Sequence, residues 1–394
     1  MRTKAHLFKV IATGTVIALA TACGQKQTEG LISVNFKRLT DAPAMNISEL
    51  TGEPEFIALD SRTEAFATGY NYAISDHYIC IGASMRGPAK LYDRATGKFL
   101  CDVGTIGRGP GEYLNTYGSP RIDEEDGTIW LLPWQTKTLL GYDLSTGKFK
   151  KEIPLKYEVP KGQFKVDSKA GTVTVAALPF RDIVPMIAWK QDMQGNVLWE
   201  IPSGHLTLTP DFSNEIESNG NADGIFDLAL VTWSGGQDSL YVINEGSLDP
   251  VYTIDFNTKE VESEDYNLNV NEDAPIHSYI MLPGHFITSV SYPVQTEWGF
   301  STGKPEYVVT DRRTGESIKT TFYNDYLARE TDYVSFTGGY WYTVLDPETF
   351  TEVAKNALKE GNLSKDNKAR IQEILDGLTP ENNNILMLAP IKLR

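Results

Sequence analysis

The chain predicts an all-β fold: a six-bladed β-propeller whose first and last strands share one blade. Three observations carry this expectation. From about residue 31 to residue 344, short runs of alternating apolar and polar residues are separated by Gly, Asn, Asp and Pro, with almost no helical period. One turn sequence recurs along this stretch. Its copies are spaced widely enough for four strands per unit, the signature of propeller blades.

The recurring turn reads Tyr92-Asp93-Arg94-Ala95-Thr96-Gly97-Lys98-Phe99, then Tyr142-Asp143-Leu144-Ser145-Thr146-Gly147-Lys148-Phe149, then Lys190-Gln191-Asp192-Met193-Gln194-Gly195-Asn196-Val197. Weaker copies stand at 254–259 and 310–316. The aspartates at 93, 143, 192, 255 and 311 are 50, 49, 63 and 56 residues apart. In each copy the carboxylate can accept backbone N–H groups across the turn, and in all but the copy at 254–259 glycine supplies the positive φ that closes it. Each copy is therefore read as a hairpin joining two strands.

Blade one is expected from strands near 67–74, 77–83, 89–93 and 98–103, and blades two to five over 119–155, 163–202, 226–268 and 279–323. A sixth blade takes strands at 333–336, 340–345 and 384–393, completed by an N-terminal strand within 31–39 or 55–60. Such closure removes exposed sheet edges. Inside that blade a helical hairpin is predicted over about 346–378. Asp346-Pro347 starts its first helix, Phe350, Val353, Ala354, Ala357 and Leu358 form an apolar stripe, and Gly361 stops it. Ser364 caps the second helix, with Ile371, Ile374, Leu375 and Leu378 on its apolar face.

Ahead of the domain, a basic tip (Arg2, Lys4, Lys9), an apolar stretch over 10–22 and the run Leu19-Ala20-Thr21-Ala22-Cys23 have the layout of a bacterial export signal ending in a lipobox. The expectation is a signal peptide over 1–22, lipidation of Cys23, a polar tether over 23–30 and one propeller domain over 31–394. The lipid would anchor the chain to a membrane. Gly24, rather than an aspartate after the cysteine, points to the outer membrane, with the periplasmic or surface-facing side left open.

The formal net charge of −16 repels phosphate backbones and argues against a nucleic-acid partner. Cys80 and Cys101 fall on strands two spacings apart in the expected sheet. That separation of about 9–10 Å exceeds the reach of a disulfide, so both are read as free thiols.

The segment Gly104-Thr105-Ile106-Gly107-Arg108-Gly109-Pro110-Gly111-Glu112-Tyr113 resembles the G-x-G-P-G-E-Y signature of six-bladed β-propeller lipoproteins of gut bacteria. The lipobox, the early strand at 55–59 and the last strand at 385–389 are similar to theirs too. The resemblance implies export and a propeller of NHL-like blades, and no chemistry. Read by itself, the segment is a tight turn entering blade two near the central channel, where Arg108 and Glu112 either pair or face a ligand and Tyr113 either plugs the channel or stacks.

No nucleophile elbow, Walker loop, Asp box or helical zinc pair is present. His77, His205, His277 and His285 are read as surface or packing residues, with His277 or His285 the candidates to line an opening. The run Asp123-Glu124-Glu125-Asp126 reads as a solvated turn. Arg86, Trp134, Arg181, Tyr292 and Trp298 fall in loops between second and third strands, where aromatic faces and guanidinium groups suit a sugar ring or a peptide. With Arg108, Glu112 and Tyr113 they make up the candidate site. The function expected is that of a non-catalytic, lipid-anchored module binding a glycan, peptide or envelope protein. The alternative is a metal-assisted hydrolase or lyase in the central channel. The sequence assigns no cofactor.

Overall fold

The computed structural model describes residues 30–222, 224–236, 238–258 and 270–393. The expected signal peptide, Cys23 and the expected tether up to residue 29 lie outside the described residues, as do 259–268 at the end of the expected fourth blade.

The fold is an all-β propeller with three α-helices among the described residues. Blade one is a four-stranded antiparallel sheet of Tyr72–Ile74, Tyr78–Ile81, Ala89–Asp93 and Phe99–Val103, ordered from the channel outward. Blade two runs from Arg121–Asp123 to Phe149–Val159 and blade three from Gly162–Asp167 to Val197–Pro202. Blade five runs from Ile276–Met281 to Ser317–Thr320.

Two expectations are corrected. The innermost strand of blade four is Glu215–Glu217, upstream of the predicted start, and its outermost strand is Ser247–Asp255. Asp255 therefore does not join two strands of the blade. It caps a turn that leaves the blade, its Oδ1 accepting the Asn257 N–H at 2.8 Å. The local chemistry matches that of a hairpin turn, so the motif alone cannot separate the two.

The second correction is the number of blades. Seven sheets of three or more strands are present among the described residues, not six. The additional one, blade six, joins Met45–Asn46, Phe322–Asn324 and Arg329–Thr331. Strands of two or three residues cannot display an alternating pattern, and one of them comes from the far end of the chain.

Blade seven comprises Ser335–Thr337, Tyr340–Leu345, Ile385–Pro390 and, antiparallel on the outside, Glu55–Ala58. The N-terminal stretch feeding that last strand runs along the outer edges of its neighbours. Ile32–Asn35 adds in parallel to the outer strand of blade four, Asp41 bridges Lys319 of blade five, and Met45–Asn46 pairs with blade six. Each pairing covers an edge that would otherwise offer free N–H and C=O groups.

Six apolar clusters sit between successive sheets around the ring, holding the fully buried Trp130, Trp189, Trp341, Tyr92 and Tyr142. The recurring turns lock this packing. Asp143 Oδ1 accepts N–H groups from Ser145 and Thr146 at 3.1 and 3.0 Å, and Gly147, at φ 68°, lies so close to blade one that an added Cβ would stand 1.9 Å from the Asp102 carbonyl oxygen. Gly97 meets Ala58 of blade seven in the same way, at 2.1 Å. Glycine is thus required at both positions by φ and by contact.

The helices follow their caps. Helix α1 is Ile47–Leu50, one turn whose Asn46 N–H donates to Glu49 at 2.9 Å. Helix α2, Pro347–Glu360, is capped by Asp346, and α3, Lys365–Gly377, by Ser364. Both bury their apolar stripes against blade seven. Cys80 and Cys101 are free and lie on either side of Leu91, each opposite it on an adjacent strand.

Candidate functional site

Two cavities occupy the channel and share Ser218 and Asn219 of blade four. The larger, about 800 Å³, opens among the short turns between first and second strands, where Asp76, Glu124, Glu125 and Lys169 gather. The smaller, about 540 Å³, opens on the opposite face, among the connections between blades and the loops between second and third strands.

Strand parity builds the wall of the smaller cavity. In blade four Glu215 and Glu217 line it, whereas the Ile216 side chain is buried in the apolar cluster shared with blade three. In blade three Gln163 lines it, while Phe164 joins the core. Period-two alternation thus sends polar residues to the axis and apolar ones into the sheets.

The floor is a bonded polar network. Lys161, its side chain 7% exposed, forms an ion pair with Glu215 and donates to the carbonyls of Phe212 and Asn214 at 2.7 and 3.0 Å. Tyr117 donates its hydroxyl to Glu215 at 2.5 Å, and burial together with that carboxylate holds its phenol well above the usual range. Gln163 donates to the Ile216 carbonyl at 3.0 Å. Arg121, on the blade-two side, reaches Gln163 and the Ser218 carbonyl, each at 3.3 Å.

One member of the floor stands apart. Among the described residues the Glu217 side chain has no hydrogen-bond or ion-pair partner. Burial, then the like charges of Glu215 and Asp227, push its carboxyl up to about 7. It keeps some solvent contact because it lines the cavity, although protein surrounds it on all other sides. Asp227 behind it is buried and satisfied by Ser218 and the Gly220 N–H at 3.1 and 3.3 Å.

The rim is aromatic. Tyr70, Trp134 and Phe212 line the opening and are 81%, 42% and 42% exposed. Phe212 meets Trp134 edge-on at 6.1 Å on one side and the buried Phe180 at 5.2 Å on the other. Trp134 and Phe212 are thereby anchored to the core. The Trp134 N–H donates to the Asn115 carbonyl at 3.2 Å, tying its loop to the connection between blades one and two.

Of the residues picked out from the sequence, Trp134 lines this cavity and the others do not. Arg86 sits in the exposed turn between Ser84 and Gly87, Arg108 on the exposed Gly107–Gly111 loop, and Arg181 on an exposed loop of blade three. Glu112 turns back under its own loop, accepting the Gly109 N–H at 2.8 Å. Tyr113 is buried between blades one and two, donating to the Val103 carbonyl and accepting the Ala89 N–H at 3.0 Å. The signature turn therefore packs on Tyr142 and Phe149 in the outer half of blade two, not beside the channel.

Tyr292 borders a separate cavity of about 700 Å³ with Phe36 and Lys319. Trp298, 90% exposed, tips a hairpin of Pro293–Thr296 and Gly299–Thr302 that projects from blade five. His277 is buried between Phe256 and Tyr279, and burial pulls its imidazole down to about 4. His285 lines a pocket of about 260 Å³ elsewhere. Among the described residues no three His, Cys, Asp or Glu side chains are grouped to hold a metal ion.

Tyr70, Tyr117, Lys161, Gln163, Phe212, Glu215 and Glu217 were missed by sequence reasoning. The one local signal was the charged–apolar–charged run Glu215-Ile216-Glu217, which fits an innermost strand.

A ring of β-sheets around a polar channel with one aromatic mouth defines the protein as a β-propeller. Within it, residues 31–176 match the model of a domain of unknown function, DUF4934. No curated protein matches the chain. Among solved structures, the "putative exported protein" of Bacteroides fragilis shares 15% identity over 92% of this chain and 99% of its own, with a TM-score of 0.60, and shares the fold. A DUF4221 family member of Bacteroides vulgatus aligns over 87% of this chain and 97% of its own at 11% identity and a TM-score of 0.48.

Proposed function

We propose that this protein is an exported binding propeller that captures a glycan or short peptide non-covalently at its aromatic mouth. The observation that carries the reading is the 540 Å³ cavity, with three exposed rings above a bonded polar floor. Concave sites of this size with a few fixed polar groups are the usual form of small-ligand sites. The Trp134 and Phe212 rings bury apolar ligand surface at little entropic cost, because their ring contacts already hold them.

The exported protein of Bacteroides fragilis supports an address outside the cytoplasm. The lipobox ending at Cys23 supports anchoring by lipid, with the outer membrane as destination. Mass spectrometry of Cys23 from native membranes tests the anchor, and Cys23→Ser is expected to release the protein.

Glycan and peptide arrays probed with the full chain test the binding reading. The expected result is a restricted set of ligands that Trp134→Ala abolishes while its melting temperature is kept. Ligands retained by Trp134→Ala and by Phe212→Ala alike would remove the site.

A further inference from the structure

We infer that the aromatic mouth selects ligands carrying an organic ammonium group, with Glu217 as the counter-charge and the rings of Tyr70, Trp134 and Phe212 as the surrounding faces. The inference rests on the binding reading above and narrows it to a ligand chemistry.

Three charged side chains line the cavity: Lys161, Glu215 and Glu217. Lys161 and Glu215 line it and offset each other in a direct pair, and Tyr117 is committed to the same carboxylate. Asp227 is held behind the strand by Ser218 and Gly220, and Arg121 is held by Gln163 and Ser218. Glu217 is left as the lining charge without a partner among the described residues.

A carboxylate enclosed by protein with no partner is costly unless it is neutralised, either by a proton or by an opposite charge. Its carboxyl is already pushed up to about 7, so near neutral pH the site lies between those two solutions. An ammonium group entering the cavity supplies the second.

The rim agrees with this. Ring faces attract cations through their quadrupole, and three aromatic side chains border the opening through which a ligand must pass. The net charge of −16 draws cations toward the molecule as a whole. An anionic ligand would meet Glu217 unshielded, and a neutral one would leave it unneutralised. The ammonium can come from a lysine side chain or from an amino sugar, two sources of one chemistry.

Isothermal titration with the full chain at pH 7 distinguishes the sources through two probe pairs. The first is a capped trilysine peptide against its Nε-acetylated form. The second is glucosamine tetrasaccharide against its N-acetylated form. The charged member of at least one pair is expected to bind about tenfold or more tighter than its acetylated partner. Glu217→Gln, checked by melting for retained fold, is expected to erase that preference. Because lysine stays charged from pH 5.5 to 8, weakening of the peptide arm toward pH 5.5 would report the carboxylate of the protein.

Equal binding within both pairs overturns the inference, as does a preference that survives Glu217→Gln. Acetylated members that bind, lose binding in Trp134→Ala and keep it in Glu217→Gln would leave the site standing and sink only the ammonium. No binding by any of the four overturns the ammonium reading, and the arrays judge the site separately.

Discussion

The two mouths of the channel are built from opposite ends of the same strands and differ in what they leave unfinished. At the turn-lined mouth, acidic side chains find partners in the open: His77 meets Glu124 at 2.6 Å, Lys169 meets Glu125 at 2.7 Å, and Ser168 donates to Asp123 at 2.5 Å. At the aromatic mouth the pairs are sunk in the floor, one carboxylate has no partner, and apolar rings face water. Turns of a few residues satisfy themselves locally. The long connections over 104–119 and 203–214, free of the hairpin geometry, can carry surface that costs solvation and gains it back only on binding.

The largest expected difference is in stability. Lys161→Met leaves Glu215 without its cation and the Phe212 and Asn214 carbonyls without their donor, and is expected to cost about 2 kcal/mol in chemical denaturation. Lys169→Met breaks a pair whose side chains are 80% and 73% exposed, and no resolvable change is expected. Equal losses would show that the two mouths do not differ in burial.

Next comes binding. Trp134→Ala is expected to weaken any ligand found on the arrays by about tenfold to a hundredfold, the range of a central aromatic contact. His77→Ala at the other mouth is expected to leave titration curves unchanged. The reverse result would move the site to the opposite end of the channel.

A pH effect follows from Glu217. Its folded carboxyl is raised to about 7 from 4.5, so the protonated folded state is favoured below pH 4.5 and that advantage is lost as pH rises through 7. Glu217→Gln should therefore match the parent protein at pH 4.5 and exceed it at pH 8, by up to about 3 kcal/mol for a shift of this size. Melting curves at both pH values check it.

The smallest effect is at His77. Glu124 raises its imidazole, so the pair adds stability that is full below the ordinary histidine range and fades as pH rises through the raised value. Because the ring is open to solvent, His77→Ala should lower the melting temperature slightly at pH 5.5 and not at pH 9.

Much of the ring was legible because its turns repeat one chemical solution. Asp93, Asp143 and Asp192 each mark a hairpin, and blades one to three lie where the pattern placed them. Asp255 marks the same kind of turn in a different role, so blade four was misplaced. Blade six was invisible, since pairing Met45 with Phe322 leaves no local trace. Trp134 was legible as an aromatic residue stranded in a loop. Lys161 and Glu215 were not, because 54 residues separate them and only the curvature of the ring brings them together.

The strand Glu55–Ala58 lying against Ile385–Pro390 has a consequence for how the molecule comes into being. Until residues 385–390 exist, the clasp has nothing to grip, and the belt of residues 32–58 stays without its last anchor point. Closure of the circle thus depends on encounter between two segments far apart in sequence, slow in the way that non-local pairings are slow. Shortening the tail by a single strand should cost far more than its share of the mass.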